Sequence, residues 1–171
     1  MFLKSFLSDL EAECVLDVGA NGGQYGAELR LIGYAGHIIS FEPDPQSFVK
    51  LIGRSNKDPK WHALNIALGR GAGQAEFNIM AASMFNSFRR PSNEEAGKFS
   101  EDNKVVKTNQ VETAQLADVL PDLRRHHYFN KVFLRMDTQE FGTTEPKIDI
   151  CDLQEGCTQQ SPFANCQIKR L

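Results

Sequence analysis

The hydrophobic pattern of the first forty residues alternates between short apolar runs and stretches with helical spacing. Cys14 to Val18 is a compact apolar run ended by glycines, which is typical of a strand buried on both faces. From Gln24 to Ile32, apolar residues recur three or four positions apart and predict one helical face. His37 to Phe41 predicts a second strand. The pattern therefore indicates a strand, a helix and a strand in succession.

The same alternation continues through a second helix and a third strand. Pro43 and Pro45 close the second strand and open the helix, and Trp61 to Ile66 predicts the third strand. Each helix must return the chain to the same sheet, so the strands are expected to pair in parallel with right-handed crossovers. The sequence predicts an α/β fold with a mostly parallel sheet flanked by helices, of which this is one half.

Beyond the third strand the periodicity is weaker. Gln74 to Met80 predicts a strand or hairpin arm, and the polar stretch from Arg89 to Asn103 predicts an exposed loop. An extended segment is expected from Val105 to Val111, a short helix from Thr113 to Leu120, and a buried strand from Lys131 to Met136.

The character of the chain changes after Phe141. Residues 142–171 show neither helical nor alternating periodicity, so we expect a domain over residues 1–141 followed by an irregular tail. The C-terminal strands of a full doubly wound sheet are then missing or atypical. Val132 to Leu134 would form an exposed apolar edge, which favours self-association.

Composition and charge exclude several functional classes. The chain has 41% hydrophobic and 24% charged residues, an ordinary globular balance, and a net charge of −3 that gives no overall attraction to nucleic acid. No apolar stretch approaches the ~18 residues of a membrane span, so a soluble, cytoplasmic protein is expected. The cysteines form no C-x-x-C pair and predict no metal site. They are Cys14, Cys151, Cys157 and Cys166.

The candidate chemistry lies in the glycine loop after the first strand, Gly19 to Gly23. In a doubly wound sheet this loop borders the ligand crevice. Asn21 occupies the place where a dinucleotide fingerprint has its second glycine, which weakens a nicotinamide or flavin interpretation. Asp17, two residues before the loop, would repel a pyrophosphate but attract the ammonium group of a methionine moiety. This loop therefore favours S-adenosylmethionine.

A second acidic residue supports the same interpretation. Glu42 follows the second strand about twenty residues after the loop, where a carboxylate can accept hydrogen bonds from both ribose hydroxyls. Taken singly, Asp17 is better interpreted as a turn or capping residue than as a functional one, and Glu42 is equally interpretable as a solvated acid at a strand end. Only the combination predicts a cofactor site.

Four motifs resemble the FkbM family of methyltransferases, and the resemblance covers about Cys14 to Phe141. They are Val15-Leu16-Asp17-Val18-Gly19-Ala20-Asn21-Gly22-Gly23, Ser40-Phe41-Glu42-Pro43, Ala67-Leu68-Gly69 and Phe133-Leu134-Arg135-Met136-Asp137-Thr138-Gln139. The resemblance implies a Rossmann-like methyltransferase fold. It also implies methyl transfer from S-adenosylmethionine to a hydroxyl of a sugar or secondary metabolite.

The resemblance also implies roles for individual residues. Asp17, Gly19 and Asn21 would hold the methionine end of the cofactor, within a loop completed by Gly22 and Gly23, and Glu42 would hold the ribose. Ala67 and Leu68 would line the adenine pocket, and Asp137 would lie at the catalytic mouth.

The reaction implied by the resemblance is an in-line displacement, in which alignment of the two reacting atoms supplies most of the acceleration. Asp137 is the best-placed base or orienting group, whereas His126 and His127 are expected in a solvated basic loop. The chain departs from the family where Glu140 replaces a glycine. Two hypotheses follow: an active O-methyltransferase, or a catalytically inactive methyltransferase-like binding module.

Overall fold

The computed structural model of the protein describes residues 2–81 and 104–137. The helices of this part are α1 (Phe2–Asp9), α2 (Gln24–Leu31), α3 (Pro45–Ser55) and α4 (Leu116–His127). Its strands are β1 (Cys14–Val18), β2 (His37–Phe41), β3 (Trp61–Leu64), β4 (Ala67–Leu68), β5 (Gly73–Met80), β6 (Val105–Ala114) and β7 (Val132–Met136).

The main sheet has the strand order β3-β2-β1-β7, and every pair in it is parallel. The chain runs outward from β1 through β2 to β3, and β7 then pairs on the other side of β1. The strand order therefore reverses at β1. In a sheet of this kind the ligand crevice lies beyond the carboxyl ends of the strands at the reversal, here β1 and β7. The predicted α/β architecture is confirmed.

Helices cover this sheet on both faces, as alternate residues of β1 show. Leu16 packs in a cluster that includes Leu120 of α4. Val15 points to the opposite face and packs in a cluster that includes Leu29 of α2 and Leu51 of α3. All five residues of β1 are buried, which confirms the prediction of a strand buried on both faces.

The predicted third strand was two residues too long, because the chain changes sheets after Leu64. The side-chain amide of Asn65 donates to the backbone oxygen of Glu42 at 2.7 Å and to that of Pro43 at 3.2 Å. Ala67 and Leu68 then pair with β6 in a second, three-stranded sheet of order β4-β6-β5. The side chain of Asn65 therefore fixes the point at which the two sheets separate.

The helix predicted over Thr113–Leu120 was misplaced. Thr113 and Ala114 belong to β6, where they pair with β4, and the helix runs from Leu116 to His127. Pro121 lies inside α4 and removes one amide donor. Packing of Leu116 and Leu120 in the core offsets this loss.

The expectation that His126 and His127 lie in a solvated loop was also wrong. Both belong to the last turn of α4. His126 is exposed, whereas the half-buried ring of His127 stacks on His62 with 3.7 Å between ring centroids. The helix thus continues past Pro121 to its last residue, His127, and brings that ring beside His62 of β3.

Several predictions fall outside the described residues, including the loop from Arg89 to Asn103, Glu140 and the tail 142–171. Among the described strands β7 has β1 as its neighbour, and the side chains of Phe133 and Leu134 are buried. Self-association through this edge stays a prediction. None of the helices in residues 2–81 and 104–137 is long and apolar enough to cross a bilayer.

The contact between α2 and β3 leads to a stability prediction. A Cβ atom added at Gly26 would lie 2.2 Å from Cζ2 of the buried Trp61 ring. We expect Gly26→Ala to lower the free energy of unfolding by roughly 1–3 kcal/mol, because this overlap exceeds the helix propensity gained. Gly53→Ala is the matched control in α3, since no atom of residues 2–81 and 104–137 lies within 4 Å of its added Cβ atom.

Urea denaturation of the two variants tests this contact. Gly53→Ala should be stabilised by about 0.5–1 kcal/mol, as an exposed glycine-to-alanine change in a helix usually is. A Gly26→Ala variant that matched or exceeded the wild-type stability would mean that Trp61 is not held against α2.

Candidate functional site

All five backbone amides of the loop Gly19–Gly23 are hydrogen-bonded within the protein. Those of Gly19 and Ala20 donate to the Phe41 oxygen (3.0 and 3.1 Å), that of Asn21 to Glu42 Oε2 (2.6 Å), that of Gly22 to Asn21 Oδ1 (2.7 Å) and that of Gly23 to the Ala20 oxygen (2.8 Å). A phosphate-binding loop presents such amides to its ligand. This loop is therefore unsuited to cradling a pyrophosphate.

The backbone conformation explains the residue types in the loop. Gly19, Asn21 and Gly23 have φ values of 77°, 50° and 82°, in the left-handed region. Asparagine tolerates this region better than other residues with a side chain, and its oxygen here accepts the next amide. A Cβ atom at Gly23 would lie 2.8 Å from Leu51 Cδ1, so a side chain there would displace Leu51 of α3.

Glu42 is buried at the carboxyl end of β2, with 5% of its surface exposed. Its Oε2 accepts the Asn21 amide and its Oε1 accepts the Asp44 amide at 2.8 Å. Burial raises the pKa of Glu42 to about 7, although these two amides oppose the shift. The carboxylate is therefore held in one orientation at the border of the loop, with lone pairs remaining on both oxygens.

Asp17 and Asp137 are joined by Arg135. Asp17 and Arg135 are direct register partners in β1 and β7, and the guanidinium donates to Asp17 Oδ1 at 2.8 Å. Arg135 also pairs with Asp137 Oδ2. The Asp17 side chain is fully buried, the Arg135 side chain is 18% exposed and the Asp137 side chain is 60% exposed. When both carboxylates are ionised, the two carboxylates and one guanidinium carry one net negative charge at the carboxyl ends of β1 and β7.

Burial raises the pKa of Asp17, and Arg135 opposes that shift. Asp17 Oδ2 is buried and makes no hydrogen bond within the described residues, although the Ser40 hydroxyl lies close enough to lower the pKa of the carboxyl. The guanidinium of Arg135 lies 4.4 Å from the centroid of the Tyr25 ring. Asp17 is thus a buried carboxylate compensated on one side by Arg135.

Asp137 lies at the same end of the sheet as the glycine loop, where the strands have their carboxyl ends. Its amide donates to the Val18 oxygen at 2.9 Å, directly before Gly19. The structure therefore brings together Asp17, the loop and Asp137, with Glu42 on the neighbouring strand. The roles predicted for these residues stay predictions.

Ala67 and Leu68 lie in β4, each 4% exposed. Ala67 packs against Phe77 and Val111 of the second sheet, and Leu68 packs in the cluster that contains Phe41. The backbone before them is close to Glu42, because the Glu42 amide donates to the Leu64 oxygen at 3.0 Å. Contact of Ala67 and Leu68 with adenine stays a prediction.

Sequence reasoning missed two residues of this region, Arg135 and Asn65. Arg135 is the one cation in an otherwise apolar strand, and Asp17 is the one anion in the strand beside it. Opposite charges in two neighbouring buried strands are a signal of pairing that would have suggested Arg135. Asn65 directly follows a strand, but nothing local indicates that its amide binds the backbone after β2.

Comparison with known proteins agrees with these observations. A family model described as the methyltransferase FkbM domain matches residues 17–143, which include Asp17, the glycine loop, Glu42 and Asp137. No curated protein and no solved structure was found to match the chain. Since the family model spans most of its length, the chain belongs to the FkbM family of methyltransferases.

Proposed function

We propose that this chain binds S-adenosylmethionine and transfers its methyl group to a hydroxyl of a small acceptor such as a sugar or secondary metabolite. FkbM methyltransferases are generally S-adenosylmethionine-dependent. The observation that carries the proposal is the loop Gly19–Gly23. Its amides are hydrogen-bonded to groups of the protein, and the carboxylate of Glu42 lies at its border. This arrangement suits a cofactor that has ribose hydroxyls but no phosphates.

The charges of the crevice also fit the cofactor. S-adenosylmethionine carries a sulfonium and an ammonium group against one carboxylate, so it is a net cation. The group formed by Asp17, Arg135 and Asp137 retains one negative charge, and Glu42 adds another when it is ionised. Favourable Coulomb interactions in a partly buried site follow from this arrangement. Glu42 would accept hydrogen bonds from both ribose hydroxyls. Ala67 and Leu68 would lie beside the adenine.

When bound, S-adenosylmethionine supplies an electrophilic methyl group on its sulfonium. The work left to the protein is to align an acceptor oxygen with that methyl group and to accept the proton that the hydroxyl loses. Asp137 is the residue proposed for this work, because its side chain is 60% exposed at the crevice while one oxygen is tied to Arg135. Arg135 would fix the orientation of the carboxylate and leave its other oxygen for the acceptor.

A second candidate function is a binding module without methyl transfer. It is favoured by the same guanidinium, because Arg135 pairs with both Asp17 and Asp137 and so competes with the cofactor and the acceptor for these carboxylates. Under this alternative, S-adenosylmethionine binds but no acceptor is methylated. Cofactor binding combined with a methyl-transfer assay over a panel of hydroxylated acceptors separates the two.

Isothermal titration of the full chain with S-adenosylmethionine, S-adenosylhomocysteine and NAD⁺ tests the cofactor. Micromolar binding of the first two is expected, and no saturable binding of NAD⁺. Glu42→Gln should weaken S-adenosylmethionine binding more than about tenfold, since charge-assisted hydrogen bonds are lost. Glu76→Gln, at an exposed position of β5, is the matched control and should not change it.

Two outcomes would contradict the proposal. One is a folded wild-type chain that binds NAD⁺ more tightly than S-adenosylmethionine. The other is a Glu42→Gln variant that keeps its circular dichroism spectrum and the full affinity for S-adenosylmethionine.

A further inference from the structure

Three histidines from three separate segments meet at one end of the main sheet. His37 is the first residue of β2, His62 is the second residue of β3, and His127 is the last residue of α4. One ring nitrogen from each lies within 4.8 Å of the other two. The ring centroids are 5.8 Å apart for His37 and His62, 5.6 Å for His37 and His127, and 3.7 Å for His62 and His127.

This cluster is remote from the candidate methyltransferase site. His37 begins β2, whereas Glu42 follows the other end of the same strand. Five steps along a strand separate them by roughly 16 Å. The histidines therefore lie at the amino ends of the strands and the glycine loop at the carboxyl ends, so the cluster is not explained by cofactor binding.

Two of the ring nitrogens have no hydrogen-bond partner in the described part of the chain. His37 Nδ1 and His62 Nε2 are buried and make no hydrogen bond within residues 2–81 and 104–137. A buried polar atom left unsatisfied costs free energy, which a cluster kept only for packing would avoid with apolar rings. All three side chains are nevertheless only half-buried, so an ion can reach them from solvent.

The chemistry of the rings and the charged side chains around them suit a bound cation. Neutral imidazole is the ligand of transition metals. Lys60 and Arg30 also face His37, but Arg30 is paired with Asp58 at 2.5 Å, and the Asp58 carboxylate offsets the positive charge.

We propose that His37, His62 and His127 bind one divalent transition-metal ion of the kind that imidazole favours, with Zn²⁺ as the reference ion. Rotation of the stacked His62 and His127 rings about their side-chain bonds turns a nitrogen of each towards the shared ion. The ion joins the end of α4 to β2 and β3. Its role is therefore structural, and it acts at the opposite end of the sheet from methyl transfer.

Titration of the metal-free full chain with Zn²⁺ by calorimetry tests the proposal. The wild type should bind one ion at this site, and its melting temperature should rise with Zn²⁺ because the ion binds the folded state. His62→Phe and His127→Phe keep a ring for packing and should each weaken binding at least about tenfold. His126→Phe is the matched control, since its exposed ring lies on the same turn of α4.

Co²⁺ provides a second measurement that does not depend on stability. Its visible absorption should show histidine coordination in the wild type and in His126→Phe, and should lose it in His62→Phe. The proposal is overturned if the folded wild type shows no saturable Zn²⁺ binding. It is also overturned if His62→Phe and His127→Phe bind Zn²⁺ as tightly as the wild type, which would place the ion on other residues.

Discussion

Replacing Arg135 with methionine is expected to lower the free energy of unfolding by about 3–5 kcal/mol at neutral pH. Arg135 is the direct cross-strand partner of Asp17, which is fully buried, and their contact is 2.8 Å. Methionine fills much of the same space but leaves the Asp17 carboxylate without its counter-charge. Urea denaturation monitored by tryptophan fluorescence provides the measurement, since the Trp61 side chain is buried against α2.

Two further variants separate this ion pair from general effects of losing an arginine. Arg125→Met removes an exposed arginine that pairs with Asp122 on α4, and should cost no more than about 0.5 kcal/mol. The double variant Asp17→Asn with Arg135→Met should recover much of the stability that Arg135→Met loses, because no buried charge remains. Asp17→Asn alone completes the cycle, and strictly additive effects of the two substitutions would show that the pair does not stabilise the sheet.

The stability of the wild type relative to Glu42→Gln is expected to fall by about 3 kcal/mol between pH 4.5 and pH 7. Burial raises the pKa of Glu42 from its ordinary value of 4.5 to about 7 in the folded state. The folded protein therefore favours the protonated carboxyl. The stabilisation from Glu42 is complete below the unfolded pKa and is lost as the pH rises through about 7.

Denaturation curves of the two proteins at half-unit pH intervals measure this difference, and other titrating groups largely cancel in the comparison. Affinity for S-adenosylmethionine should change in the opposite direction. It should increase as the pH rises through about 7, because the ionised carboxylate is the better acceptor for two ribose hydroxyls. A stability difference that stays constant from pH 4.5 to 8 would show that folding does not shift the pKa of Glu42.

The elements whose signals are local could be predicted from the sequence. β1 and β2 have their predicted bounds, and α2 begins at the predicted residue, because each depends on an apolar run or a helical period closed by glycine or proline. The boundary between β6 and α4 could not be found in this way. Thr113 and Ala114 are extended because they pair with β4, more than forty residues earlier in the chain.

The candidate site shows the same division. Asp17, the glycine loop and Glu42 are recognisable from their spacing along the chain, whereas the function of Arg135 depends on the register of β7 beside β1. Asp17 and Arg135 are 118 residues apart in the chain, so no local sequence pattern determines this register. The three histidines are similar, because His37, His62 and His127 meet only when α4 extends past Pro121 to the edge of the sheet.

The hydrogen bonds that the Gly19–Gly23 loop makes within the protein determine when its conformational entropy is lost. Because each of its amides is bonded without any ligand, the loop is ordered during folding and not at the moment of binding. Its amide protons should exchange with solvent slowly in the free protein and change little when the crevice is filled. Affinity at this loop is then determined by desolvation and charge, with little contribution from induced fit.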